Sequence, residues 1–247
     1  MPDVLGHRAK FGVLVPSTNT IVEPDFYAMT PPGVTIHIGR IFIENPTMGD
    51  DAAFEQIMVQ IRASIARAVA DVTSAEPDYL VMGMSSETFW GGRKGNEEFQ
   101  QRVRALAGIP IATGANACER AFAELGSRRL GVITPYQPVG DAQVRQFFSE
   151  CGYEVVALKG LRCPTATSMA HVDEDTLRRA LLEINRPDVD TLVQVGTNLS
   201  MLRLADEAER WLGKPVIAIN AATFWYALRE NGIPDPIRGF GRLLREH

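Results

Sequence analysis

The 247-residue sequence predicts an α/β fold made of two similar lobes with mainly parallel sheets. Three observations lead to this prediction. Short β-branched runs alternate with helical patterns along the whole chain. Most of the runs are continuously apolar, which is typical of strands buried on both faces of a parallel sheet. Finally, three segments of the first half recur in the second half, in the same order.

The predicted strands are residues 11–15, 34–43, 79–83, 109–112, 130–134, 153–158, 191–195 and 215–219. Only the run that starts at Val34 alternates apolar and polar residues, so we expect it to lie nearer a sheet edge. The clearest predicted helix, 54–72, carries isoleucine or valine at steps of four. Further helices are predicted near 95–107, 116–125, 140–151, 173–185, 200–212 and 221–231.

The recurring segments end in Gly, Pro and hydroxyl residues. Residues 11–18 match 130–136, residues 78–85 match 190–197, and residues 109–113 match 214–218. Because ligands of parallel sheets bind outside the carboxyl ends of the strands, we expect these polar turns to meet in a cleft between the lobes. We assign residues 1–115 and 216–247 to the first lobe and 116–215 to the second. In this division the last strand and helix cross back onto the first lobe.

Composition excludes several classes of function. A net charge of -5 provides no basic surface for nucleic acid, and no apolar run reaches the roughly 20 residues of a membrane span. The first residues lack the apolar core of a signal peptide, so we expect a cytoplasmic protein. Cys118, Cys151 and Cys163 are too widely spaced for a disulfide framework or a zinc site. Without a metal spacing, a phosphate loop or a dinucleotide fingerprint, we expect no cofactor.

Two turns of the first half carry candidate binding groups. Ser17 and Asn19 follow the first strand and offer donors for a carboxylate or a developing oxyanion, although helix capping would use the same residues. In the turn after the third strand, the candidates are Gly83, Met84, Ser85, Ser86 and Glu87. Glu87 is the only ionisable group there. It is a candidate acid or base if buried, or else a solvated carboxylate of a helix start.

Two turns of the second half match them. Tyr136 places a phenol directly after a strand, where it can donate a hydrogen bond to an anion or simply pack between the lobes. Gly196, Thr197 and Asn198 follow the strand that matches the one before Gly83. Their amide and hydroxyl groups are again uncharged, so the sequence predicts an anion site built from neutral donors.

Taken in order, these turns resemble the aspartate/glutamate racemase superfamily, in its branch of maleate cis–trans isomerases and arylmalonate decarboxylases. The segments that carry the resemblance are Pro16–Thr20 with Glu23-Pro24, Met82–Ser85 with Phe89, Thr134–Tyr136, Phe224-Trp225 and Gly239–Leu243. The resemblance spans nearly the whole chain. It implies two Rossmann-like lobes related by a pseudo-twofold axis, with a dioxyanion hole in the active site between them.

The family's chemistry usually depends on cysteines in the two symmetric turns. The matching positions in this chain are Gly83 and Gly196, so the resemblance implies that both usual catalytic cysteines are missing. Because serine and threonine are far weaker acids than a thiol, we do not expect two-thiol racemisation or isomerisation through a thioether.

The leading hypothesis is a cofactor-independent lyase or isomerase that acts on a small carboxylate. The residues expected to hold the carboxylate groups are Ser17, Asn19, Gly83, Met84, Ser86, Gly196, Thr197 and Asn198, and Tyr136, Ser85 or Glu87 would transfer a proton. Two alternatives stay open: a hydrolase of a lactam, lactone or cyclic imide that uses the same oxyanion site, and a carboxylate-binding protein without catalysis. The sequence also leaves open whether the chain forms a homo-oligomer.

Overall fold

The computed structural model describes residues 3–45 and 47–247, so Met1, Pro2 and Pro46 of the predicted first lobe lie outside the described residues. Two four-stranded sheets form the framework, with strand orders β2-β1-β3-β4 and β6-β5-β7-β8. Every pairing within them is parallel. The strands are β1 (Ala9–Pro16), β2 (Val34–Ile41), β3 (Tyr79–Met82), β4 (Ile111–Ala112), β5 (Arg129–Thr134), β6 (Glu154–Gly160), β7 (Thr191–Gln194) and β8 (Val216–Ala218).

Helices connect the strands and cover the sheets. They are α1 (Val22–Met29), α2 (Asp51–Thr73), α3 (Ser86–Phe89), α4 (Gly92–Ala107), α5 (Gly114–Leu125), α6 (Pro138–Glu150), α7 (Glu174–Ile184), α8 (Leu202–Leu212), α9 (Ile219–Glu230) and α10 (Arg242–Glu246), with a 3₁₀ helix at Thr167–His171. The two-sheet α/β prediction is confirmed. Helices α1, α3 and α10 were not predicted, because they are too short to show a periodic apolar pattern. In the described ranges, no helix has the length and apolar character needed to cross a bilayer.

The alternating strand lies at a sheet edge, as predicted. β2 pairs with β1 on one side, and its burial alternates except where His37 and Ile38 are both partly exposed. The central strands β1 and β5 are flanked on both sides and carry continuous buried runs. Their carboxyl ends therefore point to the turns that were expected to form the cleft.

The predicted division into lobes is wrong for the last strand. β8 pairs with β7 in the second sheet, because the α8 crossover adds it beside its predecessor just as the α4 crossover adds β4 beside β3. The helix after β8 does cross: the ring of Phe224 in α9 packs against Phe11 of β1 and Phe26 of α1. In the opposite direction, Phe122 of α5 packs against Phe148 of α6. The two halves therefore exchange their last helices. The twofold relation between the lobes stays a prediction.

Candidate active site

A cavity of about 50 Å³ lies where the turns after β1, β3, β5 and β7 meet. Of the residues predicted from the sequence, this cavity is lined by Asn19, Met84, Ser85, Ser86, Tyr136, Gly196, Thr197 and Asn198, together with Thr18. Turns from both sheets thus come together as expected. No Asp, Glu, Lys, Arg or His is among the described residues that line the cavity.

A chain of hydrogen bonds at the centre of the cavity joins the two halves. Ser85 Oγ and Tyr136 OH lie 2.6 Å apart, and the backbone N–H of Thr197 donates to Ser85 Oγ at 3.3 Å. The Thr197 hydroxyl donates to the carbonyl of Gly83 at 3.1 Å. Burial raises the pKa of Tyr136 well above the ordinary value for a phenol. Tyr136 therefore remains protonated at neutral pH and can donate a hydrogen bond.

Two carboxamides fix the walls of the cavity. Asn19 Nδ2 donates to Thr197 Oγ1 at 3.2 Å, while its Oδ1 accepts from the N–H of Ile21 and of Val22 at the start of α1. Asn198 Oδ1 accepts from the Thr20 N–H at 3.0 Å, across the cleft. The amide nitrogen and oxygen of both side chains are thus engaged by protein groups. Asn19 and Asn198 therefore set the shape of the cavity before they bind anything.

Glu87 is not among the described residues that line the cavity, so its predicted role as an acid or base stays a prediction that this geometry does not support. Its carboxylate is buried and accepts from Arg62 Nε at 2.8 Å and from Arg102 Nη2 at 3.2 Å. Arg62 lies on α2 and Arg102 on α4. The ion pairs hold the short α3 helix between these two longer helices. Glu87 therefore stabilises the turn after β3 from outside the cavity.

Ser17 also lies outside the cavity lining. Its exposed hydroxyl accepts from the N–H of Ile43 at 3.1 Å and donates to the Ile43 carbonyl at 3.3 Å. These bonds join the end of β1 to the segment after β2. The lining includes Thr18 and not Ser17, so substrate binding by Ser17 stays a prediction that this geometry does not support.

Gly83 and Gly196, which the resemblance places at the family's cysteine positions, leave no room for a side chain. A Cβ on Gly83 would lie 2.9 Å from the side chains of Val15 and Val22, and Gly83 itself is not part of the lining. Gly196 lines the cavity with a φ of +113°, and a Cβ there would lie 2.4 Å from Pro135 Cδ. Both turns therefore require glycine.

The thiols of the chain lie elsewhere. Cys118 is fully buried in α5, Cys151 ends α6, and Cys163 follows β6. Burial raises the pKa of Cys163 to about 11 and that of Cys151 to about 12, so both are protonated at neutral pH. None of the three is among the described residues that line the cavity. The expected absence of thiol chemistry agrees with this arrangement but stays a prediction.

An apolar wall opposite the hydroxyl groups was not predicted. It consists of Pro16, Ile43, Met48, Phe54, Ile57, Met58, Ile61, Ala166 and Met169. The first half of α2 supplies much of it, and the only sequence signal was an apolar stripe that looked the same as a core stripe. The cavity therefore has a hydrogen-bonding side and an apolar side.

The sequence profile of the arylmalonate decarboxylase family matches residues 11–244, which is nearly the whole chain. This chain belongs to the arylmalonate decarboxylase family. Arylmalonate decarboxylase of Bordetella bronchiseptica is 27% identical over 238 residues, which cover 95% of this chain and 96% of that protein. A maleate isomerase of Nocardia farcinica is 24% identical over 249 residues and covers 96% of each chain.

Solved structures of the same two kinds share the fold. A variant of the Nocardia farcinica maleate cis–trans isomerase with a covalently bound succinylcysteine intermediate superimposes with a TM-score of 0.87 at 21% identity, covering 96% of this chain and 98% of that chain. A doubly substituted arylmalonate decarboxylase in its liganded form gives a TM-score of 0.82 at 23% identity, covering 96% and 99%. The arrangement of two four-stranded parallel sheets is thus the architecture of this family.

Proposed function

We propose that this chain is a cofactor-independent decarboxylase of a small carboxylate whose α-carbon carries a second carboxylate and an apolar group. The observation that supports this most is the two-sided cavity: the hydroxyls of Ser85 and Tyr136 face an apolar wall, and no charged side chain is in the described lining. Neutral donors can hold one carboxylate without neutralising it. A second carboxylate would then have to lie against the apolar wall.

Because one side of the cavity is hydrogen-bonding and the other is apolar, the site favours loss of carbon dioxide from the second carboxylate. A carboxylate against apolar side chains is poorly solvated, so its charged state is raised in energy. As its C–C bond breaks, the electron pair moves into the remaining carboxylate and forms an enediolate. The donors at Ser85 and Tyr136 meet the charge that develops there, and each well-aimed donor contributes about 3 kcal/mol in such sites.

The enediolate then needs a proton at its α-carbon. With Glu87 excluded by its ion pairs, the hydrogen-bonded pair of Tyr136 and Ser85 is the remaining candidate from the sequence. A carbon acid of this kind is much weaker than a phenol, so transfer from Tyr136 is downhill even with its raised pKa. Solvent then returns the proton to the tyrosine.

Covalent isomerisation through a thiol has no support in this cavity. Its described lining holds no cysteine, and the glycines at the matching positions leave no space for one. We therefore favour decarboxylation over isomerisation for this chain.

The size of the cavity limits which substrates can fit. A cavity of about 150 Å³ holds benzene, whereas this one measures about 50 Å³. We therefore expect the apolar group beside the two carboxylates of the substrate to be a short alkyl group. An aryl group would require Met48, Met58 and Met169 to move, and methionine side chains adapt readily.

The test is a series of methyl-, ethyl- and phenyl-substituted malonates with maleate, assayed for carbon dioxide release and, in D₂O, for deuterium at the α-carbon. We expect release with one deuterium incorporated, and a loss of about a hundredfold in kcat for Tyr136→Phe. Ser17→Ala, outside the cavity, is the matched control and should keep wild-type rates.

Other outcomes would contradict the proposal. Conversion of maleate without carbon dioxide release would indicate an isomerase. Ring opening of cyclic imides with label from heavy-oxygen water would indicate a hydrolase. Malonates that raise the melting temperature but are recovered unchanged would indicate a binding protein.

A further inference from the structure

Asn220, at the start of α9, connects the cavity to a carboxylate on the other side of the turn. Its Nδ2 donates to the backbone carbonyl of Thr197 at 3.0 Å and to Asp25 Oδ2 at 2.8 Å. Asn220 is 2% exposed, and Asp25 on α1 is half-buried. Because a single amide nitrogen makes both bonds, the position of the Thr197 carbonyl depends on where Asp25 holds the amide.

Thr197 connects Asn220 to Ser85 and Tyr136, the proposed reacting groups. Its carbonyl accepts from Asn220, and its N–H donates to Ser85 Oγ, which is hydrogen-bonded to Tyr136 OH. Carbonyl and N–H belong to the peptide units on either side of Thr197, so a displacement of this residue moves both groups. Asp25 is therefore three hydrogen bonds from Ser85 while touching nothing in the cavity.

Stability alone does not account for this arrangement. Among the described residues, Asn220 Oδ1 is buried without a hydrogen-bond partner, which costs free energy in a folded protein. Asp25 carries its charge in a poorly solvated place, where burial raises its pKa to about 6 against the opposing effects of Asn220 and Arg203. Costs of this kind are concentrated at functional sites.

We propose that Asp25 is a positioning residue that holds the Thr197 turn through Asn220, and that it does so only while its carboxylate is ionised. An ionised acceptor binds an amide N–H roughly twice as strongly as a neutral one. When Asp25 takes up a proton, Asn220 is released from its charged partner and the Thr197 N–H loses its alignment with Ser85. This role rests on the proposed function, since Ser85 and Tyr136 are the donors that it aligns.

The charges around Asp25 are few. Arg203 of α8 attracts it, and Glu174 at the start of α7 lines the same surface cavity of about 290 Å³. On its own helix, Glu23 is engaged by Arg40 of β2. Glu174→Gln therefore provides a matched control: it removes a charge from the same surface cavity without touching Asn220.

The first experiment follows the Thr197 amide by NMR in the free protein between pH 4.5 and 8. In the wild type and in Glu174→Gln, we expect its resonance to move with a midpoint near pH 6, and in Asp25→Asn we expect no such movement. A Thr197 amide that does not titrate, or that titrates equally in Asp25→Asn, overturns the proposal.

The second experiment is the pH profile of kcat. The wild type should lose about tenfold between pH 7 and 5, following the ionised fraction of a group with pKa 6. Asp25→Asn is a neutral acceptor like the protonated acid, so it should show a flat profile at about the low rate that the wild type reaches at pH 5. Asn220→Ala, which removes the amide between Asp25 and Thr197, should also be flat and slow. An acid fall retained in Asp25→Asn contradicts the role.

The proposed decarboxylation and the positioning role of Asp25 are contradicted by different results. If no malonate is turned over, the proposed function fails, while the amide titration still decides whether Asp25 controls Thr197. Circular dichroism spectra of each variant show whether it is folded. A structural role alone would lower the melting temperature without removing the acid fall.

Discussion

Each half of the molecule holds its first polar turn with an arginine, and the two arginines pair with carboxylates that are buried to different depths. In the first half, Arg40 of β2 donates to the carbonyl of Asn19 at 2.9 Å and pairs with Glu23 of α1. In the second half, Arg162 after β6 donates to the carbonyl of Tyr136 and to Asp141 of α6. In both halves, an arginine thus joins a carbonyl of the turn to a carboxylate on the following helix.

What differs is the burial of the carboxylate. The side chain of Glu23 is 34% exposed and that of Asp141 is 10% exposed. Asp141 also accepts from the hydroxyl of Thr134, whose oxygen in turn accepts from the Tyr136 N–H at 3.2 Å. Both backbone polar groups of Tyr136 are thus held. The pair with the deeper carboxylate supports the residue that we propose for catalysis, and the other pair supports a turn that lines the cavity.

Breaking the Arg162–Asp141 pair should have the largest effect on the free energy of unfolding. Asp141→Ala leaves Arg162 beside the Tyr136 carbonyl without its partner, and we expect a loss of about 3 kcal/mol in the free energy of unfolding. Urea denaturation measures this loss, and kcat should fall in the variant because Tyr136 is no longer fixed. A loss no greater than that of Glu23→Ala would show that depth does not matter.

The glycine of the second half provides the next test. Gly196→Cys places a side chain at a φ of +113° and against Pro135, so we expect a loss of about 2 kcal/mol and no gain of thiol chemistry. Gly108→Ala, at a helix end with open space around it, is the control for positive φ alone. A stable Gly196→Cys variant with racemase activity would contradict the assignment of this turn.

The half-buried carboxylate of Asp25, in the first half, is expected to have a smaller effect on stability than Asp141. Its pKa is raised from 3.8 to about 6, so its contribution to stability is complete below pH 4 and is lost as the pH rises through 6. Asp25→Asn should therefore be more stable than the wild type at pH 8, by about 1–2 kcal/mol, and equal to it at pH 4. Thermal melts at both pH values measure the difference, and a variant less stable at pH 8 would reverse the sign.

The smallest effect is expected at the shallow arginine pair. Glu23→Gln removes a partly exposed ion pair, which is typically worth less than about 1 kcal/mol and is screened by salt. The difference from wild type in urea should shrink further in 0.5 M NaCl, used here as a probe of screening. A larger loss in the free energy of unfolding that is insensitive to salt would show that Glu23 stabilises the protein as much as Asp141 does.

The sequence predicted local features better than distant partnerships. The strands, the edge position of β2 and the meeting of Asn19, Ser85, Tyr136 and Thr197 follow from apolar periodicity and from the repeated turns. The ion pairs of Glu87 were not predicted because its partners lie 25 and 15 residues away on other helices. The arginine pairs were missed for the same reason: no spacing shows which carbonyl a long side chain will reach.

The exchange of helices α5 and α9 limits how the cleft can admit a ligand. Swinging the lobes apart would pull Phe224 away from Phe11 and Phe122 away from Phe148, and would expose aromatic surface to water. Met48 and Ala166 line the cavity, and beside them the N–H of Met48 donates to the Pro164 carbonyl at 2.6 Å. We therefore expect a ligand to enter and leave through a local movement of these two segments while the lobes stay packed together.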